Sequence, residues 1–335
     1  MYNELKKRAL RAVGGVGMDK LQQRVENKKW EKIMAEYYNM VLDEDELRWF
    51  FEHVIQKPLE HESYMIMLAC RGKKLTDEER EYTKVGARGE MMREELIRCR
   101  GGLKQEWNFD IYRQCFYRYN CDKRSLLTTS GVPYPEHAMV VYSMINPTDE
   151  IECIEDTFEH YNDARKNLTA AILRGSNVGI KDHLVKMPKV FEHMKSCHAS
   201  HTSRRIWLDF DMDIKSECRT SQVFSECYNV LYKVALKLFG KGNFVIIKTA
   251  GGFHTLVKKE CLSFNPNNFL SKVYEVSENE KLIDFKQWIS EFVANDSSHK
   301  SKDGKNTIKR SALIPTPGCR QYDSFPIVMN KEDFL

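Results

Sequence analysis

The chain has 335 residues, 30% of them charged, with a formal net charge of only +4. That length supports a large core and two lobes, while so small a net charge excludes any argument from global electrostatics about partners. No run of about 18 apolar residues is present, so no membrane span is expected.

The start, MYNELKKRALRAVGG, is polar and lacks the apolar centre of a signal peptide. Residues 1–60 read as helical. Leu42 to Ile55 has an acidic first turn, followed by Leu47, Phe50, Phe51, Val54 and Ile55 at the spacing of one helix face. Ser63 to Cys70 is a short apolar run that reads as a strand and delivers Arg71, Lys73 and Lys74 at its end. Asp77 to Cys99 is highly charged and predicts an exposed helix, with Gly101-Gly102 as a break. Residues 1–125 therefore read as a mainly helical N-terminal region, with a separate domain expected over 126–335.

Ala138 to Ile145 predicts a strand ended by Asn146-Pro147, and Asp149 to Leu173 has helical spacing. Lys189 to Met194 fits a strand or a short helix. Thr220 or Ser221 can cap a helix whose stripe is Val223, Cys227, Val230, Leu231, Val234 and Leu238, with Gly240 ending it. Asn243 to Lys248 and Phe253 to Val257 are strands around the turn Thr249-Ala250-Gly251-Gly252. Leu282 to Val293 is a helix with Trp288 and Phe292 inward, Asn295 to Asn306 is a loop, and Ser311 to Pro317 and Phe325 to Met329 are extended.

Ten cysteines are scattered without a C-x-x-C pair, which reads as reduced thiols in a cytoplasmic protein. Cys197, His198 and His201 have no partner pair at knuckle spacing, which argues against structural zinc.

The chemistry concentrates in Trp207-Leu208-Asp209-Phe210-Asp211-Met212-Asp213. Alternate residues of a strand share a face, so Asp209, Asp211 and Asp213 lie on one side and Leu208, Phe210 and Met212 on the other. Same-face carboxylates about 7 Å apart repel one another. A bridging divalent cation removes that penalty, and hard oxygen donors suit magnesium or manganese. The second signal is Lys248-Thr249-Ala250-Gly251-Gly252-Phe253-His254. Glycines in a turn let backbone N–H groups approach phosphate oxygens. His254 follows on the return strand, and Lys258 lies beyond it.

Together, the Asp209-x-Asp211 strand and the Gly252-Phe253-His254 hairpin resemble the first two motifs of the archaeo-eukaryotic primase superfamily, in the form carried by phages and other mobile elements. Lys309 to Gly318 is similar to the segment near that family's third motif, and Ala138 to Pro147 to an early core strand. The resemblance covers roughly 130–330 and is most specific in 204–258. It implies an α+β fold, with a mixed, mainly antiparallel sheet flanked by helices. It also implies a primase or primase-polymerase activity in replication, with two Mg2+ or Mn2+ ions on Asp209 and Asp211. His254 would hold the phosphates of an incoming NTP or dNTP, within a pocket shaped by Thr249, Gly251 and Gly252. Lys248, Lys258 and Arg310 are candidates to offset phosphate charge. The third acid is Asp296, Asp303 or Asp323, or Asp213 from the first strand. Single-stranded DNA would cross Arg71, Lys73, Lys74, Arg204 and Arg205, and a replicative helicase is a further expected partner. If the chain is phage-encoded, the compartment is the host cytoplasm. Two other readings stay open: a metal-dependent nuclease or phosphohydrolase, and a nucleic-acid-binding replication accessory with a decayed site.

Overall fold

The computed structural model describes residues 28–29, 31–32, 34–35, 37–87, 89–98, 107–117, 126–128, 131–175, 179–181, 201–279, 288, 291–293 and 313–334. Two antiparallel sheets organise it. The first has the order β2-β1-β3-β8, built from β1 (Glu62–Cys70), β2 (Glu90–Arg98), β3 (Met139–Met144) and β8 (Leu313–Pro315), with β4 (Thr148–Asp149) also pairing β1. The second has the order β5-β7-β6-β9, built from β5 (Trp207–Asp213), β6 (Phe244–Lys248), β7 (Gly252–Lys258) and β9 (Ile327–Val328). The class is α+β. The single mixed sheet expected from the sequence is instead two sheets, and every ladder among the described residues is antiparallel.

Helix α1 (Glu44–His53) starts where the sequence places it: Asp43 caps it by accepting from the Glu46 N–H, and its first turn is acidic, as the helix dipole favours. Helix α2 (Asp77–Thr83) is shorter than expected. Lys84 takes a left-handed conformation and ends it, and the chain then turns into β2. The helix expected over Asp77 to Cys99 is thus a helix followed by a strand. Residues 90–98 favour helix by propensity, but β1 offers them a full ladder of hydrogen bonds from Ser63↔Arg98 to Cys70↔Glu90, and tertiary pairing overrides propensity. Helix α3 (Phe109–Tyr117) packs its Phe109 and Tyr112 rings on Phe51 of α1.

Helix α4 (Glu150–Leu173) is capped by Asp149, and α5 (Ser221–Phe239) by Thr220, with Gly240 at its end. Helix α6 (Phe269–Asn279) follows the hairpin. Helices α5 and α6 cover one face of the second sheet. There Leu208, Phe210 and Met212 pack with Val223, Cys227 and Leu231, and Phe210 stacks on Phe269 with ring centroids 3.8 Å apart. The opposite face of the same sheet supplies Trp207, Val245, Ile247 and Leu256 to a second core, shared with α1, α3, β1 and β3. Both faces of the second sheet are therefore buried, and its polar face looks toward the first sheet.

Two devices join the halves. The Asn146 side chain accepts from the Ile206 and Trp207 N–H groups and donates to the Trp207 carbonyl, so it pairs with the edge of β5 as a neighbouring strand would. The tail crosses from β8 to β9. On the way its Thr316 N–H donates to Val141, its Arg320 N–H to Met40 and its Cys319 N–H to Thr316. Among the described residues no helix is long and apolar enough to cross a membrane. Trp288 is buried and Phe292 half-buried in the core between the second sheet and helices α5 and α6. Residues 282–287 and 289–290 of the expected helix over Leu282 to Val293, the loop over Asn295 to Asn306 and the segment Lys189 to Met194 lie outside the described residues.

Candidate functional site

The alternation of β5 puts Asp209, Asp211 and Asp213 on the face turned toward the first sheet. β5 is the edge strand of its sheet, yet Asp209 is only 2% exposed. Register brings in His254, because Asp211 of β5 lies directly opposite His254 of β7, and directly opposite residues share a face. The imidazole sits between two carboxylates. Its Nδ1 is 2.9 and 3.0 Å from the Asp209 oxygens, and its Nε2 is 3.7 Å from Asp211 Oδ1. Burial pushes the His254 pKa down, but Asp209, then Asp211 and Asp213, outweigh it and lift it to about 9. Such a histidine is a cation at neutral pH, with both ring nitrogens acting as donors.

Asp213 ends the acidic row. Burial, and then the charge of Asp211, raise its pKa, while Lys73, His254 and Arg219 pull it back. Across the cleft stand groups from the first sheet. Arg71, at the end of β1, donates to the Tyr322 hydroxyl, and Lys74 lies 4.4 Å from the centre of the Tyr322 ring. Lys73 is held below its ordinary value by loss of solvent, then by neighbouring Arg71 and Arg219. Tyr142 of β3 is half-buried beside Arg71, Asp211 and Asp213, and loss of solvent pushes its phenol up to about 12. Tyr322 itself has φ 64°, a left-handed conformation that costs a bulky residue energy and often marks a functional site. An acidic wall thus faces a basic one.

The glycine turn does something other than expected. A Cβ on Gly252 would lie 1.9 Å from the Met212 carbonyl oxygen, and one on Gly251 would lie 2.8 Å from Asp213 Oδ1. The glycines let β5 close against the turn. The N–H groups expected to face a phosphate are taken by the chain: those of Gly251 and Gly252 donate to Thr249 Oγ1, and that of Ala250 donates to Gln321 Oε1.

Several expected residues are elsewhere. Lys248 pairs with Phe253, so it projects from the opposite face, with its ammonium 5.0 Å from the Phe224 ring centre. Lys258 shares the face of His254 but pairs with Trp207 at the far end of the ladder. Arg204 is not a loose cation for DNA. Its Nε and Nη2 each lie 2.7 Å from an oxygen of the fully buried Glu62. Burial pushes the Glu62 carboxyl up, but hydrogen bonds from Arg204, Leu59 and Ser203 outweigh it and hold the carboxyl at about 2. Arg205, next in the chain, is exposed, and so is Asp323. Asp296, Asp303 and Arg310 lie outside the described residues, as do Cys197 and His198, while His201 pairs with Asp156 at 3.0 Å.

Three contributors escape a reading of the sequence: Arg219, Tyr142 and Tyr322. Arg219 is fixed by its Nε donating to the Ile214 carbonyl at 3.0 Å, next to Asp213. Its position just before the Thr220 cap was the available signal, since a residue there is carried back to the end of the acidic strand.

Among the described residues no group of three or more His, Cys, Asp and Glu side chains forms a ready cage for a metal ion. Magnesium needs no such cage, because one or two carboxylates with waters and substrate phosphates complete its shell. Asp211 and Asp213, crowded enough to raise the Asp213 pKa, have the oxygen chemistry that suits such an ion. Comparison with protein-family models, with curated proteins and with solved structures gives no match.

Proposed function

We propose that this protein is a primase or primase-polymerase, a nucleotidyltransferase that joins NTPs or dNTPs to a 3′-hydroxyl on single-stranded DNA. The observation that carries the reading is the meeting of Asp209, Asp211, Asp213 and His254 with Arg71 and Lys73 from the first sheet and with Arg219 beside Asp213. A triphosphate carries several negative charges, which the cations would offset directly and divalent ions held by the carboxylates would offset from the other side.

In this reading Asp209, Asp211 and Asp213 would hold Mg2+ or Mn2+. Such ions, when bound, lower the pKa of an attacking hydroxyl and neutralise leaving pyrophosphate. His254, kept cationic by Asp209, donates from Nε2 to a phosphate oxygen. Arg71, Lys73 and Arg219 offset the remaining phosphate charge, and Tyr322 orients Arg71 through its hydroxyl. Lys248 takes no part, since it belongs to the far face of the sheet.

The test supplies single-stranded DNA, labelled nucleotides and Mg2+ or Mn2+. Extended, labelled products that vanish in Asp209→Asn with Asp211→Asn support the proposal. Shortened DNA would assign the same carboxylates to a nuclease. Binding of DNA without incorporation in any metal would leave an accessory with a decayed site.

A further inference from the structure

Helix α4 has 24 residues, about 36 Å of rod, and carries an apolar stripe that nothing in the proposed chemistry uses. Ile151, Ile154, Phe158, Tyr161, Leu168 and Ile172 recur at alternating three- and four-residue steps, with Arg165 filling the one remaining position. That 3.5-residue period is the signature of a helix that pairs with another helix. The stripe is open: Phe158 is 62% exposed, Ile172 55% and Ile151 54%.

The helix meets its own chain on a different side. Cys153 and Ala171 are buried, and His201 reaches Asp156 and Glu152. At 3.6 residues per turn these positions lie roughly a quarter-turn or more from the stripe. Folding of the chain therefore uses another face.

Charge along the rod says what fits the stripe. From Glu150 to Asp163 there are six acids and no lysine or arginine; from Ala164 to Arg174 there are Arg165, Lys166 and Arg174 and no acid. A second copy laid antiparallel sets each acidic half against a basic half. The same operation makes the stripe complementary to itself. Ile151 falls opposite the partner's Ile172, Ile154 opposite the partner's Leu168, and Tyr161 near the two-fold axis. Arg165, the one charged stripe position, falls opposite the partner's Phe158, where a guanidinium over an aromatic face is favourable. A two-fold interface needs this self-complementarity. We infer that α4 is the dimerisation element of this protein, pairing antiparallel with α4 of a second copy.

Sedimentation velocity of the full chain from micromolar to about 100 µM tests the inference. A concentration-dependent dimer is expected. Phe158→Glu, at an exposed position, should raise the dissociation constant about a hundredfold or more and leave the melting temperature of the monomer unchanged. Arg165→Glu should weaken the dimer about tenfold by removing the cation from the partner's Phe158 and adding an acid to the partner's acidic half. A wild-type chain that stays monomeric overturns the inference, as does a dimer indifferent to Phe158→Glu. A dimer strengthened by Arg165→Glu would overturn the antiparallel arrangement. A monomer that Phe158→Glu destabilises would show that the stripe is covered by this chain's own residues 182–200.

Discussion

Two buried acid–base pairs, Glu62 with Arg204 and Asp209 with His254, use similar chemistry for different ends. In the first, the cation is permanent and grips both carboxylate oxygens, and Ser203 and the Leu59 N–H also donate to them. Among the described residues no second acid acts on Arg204. It fastens the segment before β5 to β1, and 142 positions of sequence separate its partners. In the second, the cation is a titratable ring with a second carboxylate at its other nitrogen and a third beyond that. A lock is fully matched within itself. A site keeps an excess of one sign aimed at a cleft, and here that cleft carries the opposite sign on its far wall.

The comparison breaks most sharply if the two pairs are removed separately. Asp209→Asn with Asp211→Asn should lower nucleotide incorporation by about a thousandfold or more while the melting curve stays cooperative. Arg204→Ala should do the reverse. It strands a buried carboxylate and should cost about 3 kcal/mol of stability, the low end for a broken buried pair because Arg204 is partly exposed; incorporation by the folded fraction should persist. Denaturant unfolding alongside a primer-synthesis assay separates the two outcomes. Gly252→Ala sits between them. Its methyl meets the Met212 carbonyl, so β5 and β7 must shift, at about 2 kcal/mol, and the shift should reach activity because Asp213 is paired with Gly252.

Arg219→Ala probes the cation beside Asp213. It should raise the KM for nucleotide about tenfold, the worth of one charge-assisted hydrogen bond, with a smaller change in kcat. The smallest effect is in pH. The folded His254 pKa is raised from 6.5 to about 9, so its stabilising contribution is complete below about 6.5 and disappears as pH rises through about 9. The folded Glu62 pKa is lowered from 4.5 to about 2, so its contribution is complete above about 4.5 and disappears as pH falls through about 2. Thermal unfolding from pH 6 to 10 should show an alkaline decline that His254→Gln flattens and Arg204→Ala leaves in place.

What could be read from the residues was local. The cap and stripe of α5, the acidic first turn of α1 and the alternation in β5 are each written within a single short stretch of chain. The pairing of Asp211 with His254 was within reach because a short hairpin adjacent to β5 limits the register. The face of Lys248 was within reach too, since it alternates with Ile247, but its nearness to the turn in sequence suggested otherwise. β2 was misread because its residues prefer helix and its partner strand lies elsewhere in the chain. The role of Arg204 depends on Glu62, and the basic wall depends on β1, β3 and the tail. No local pattern announces contacts made across such separations. The turn glycines were legible as a close approach, but the approaching group is the protein's own β5, not a ligand.

The crossing from β8 to β9 has one further consequence. A short run of tail belongs to one sheet at its start and to the other at its finish, and it ties into Val141, Met40 and Ala250 between. The spacing of the two sheets is thereby gauged by the covalent chain itself.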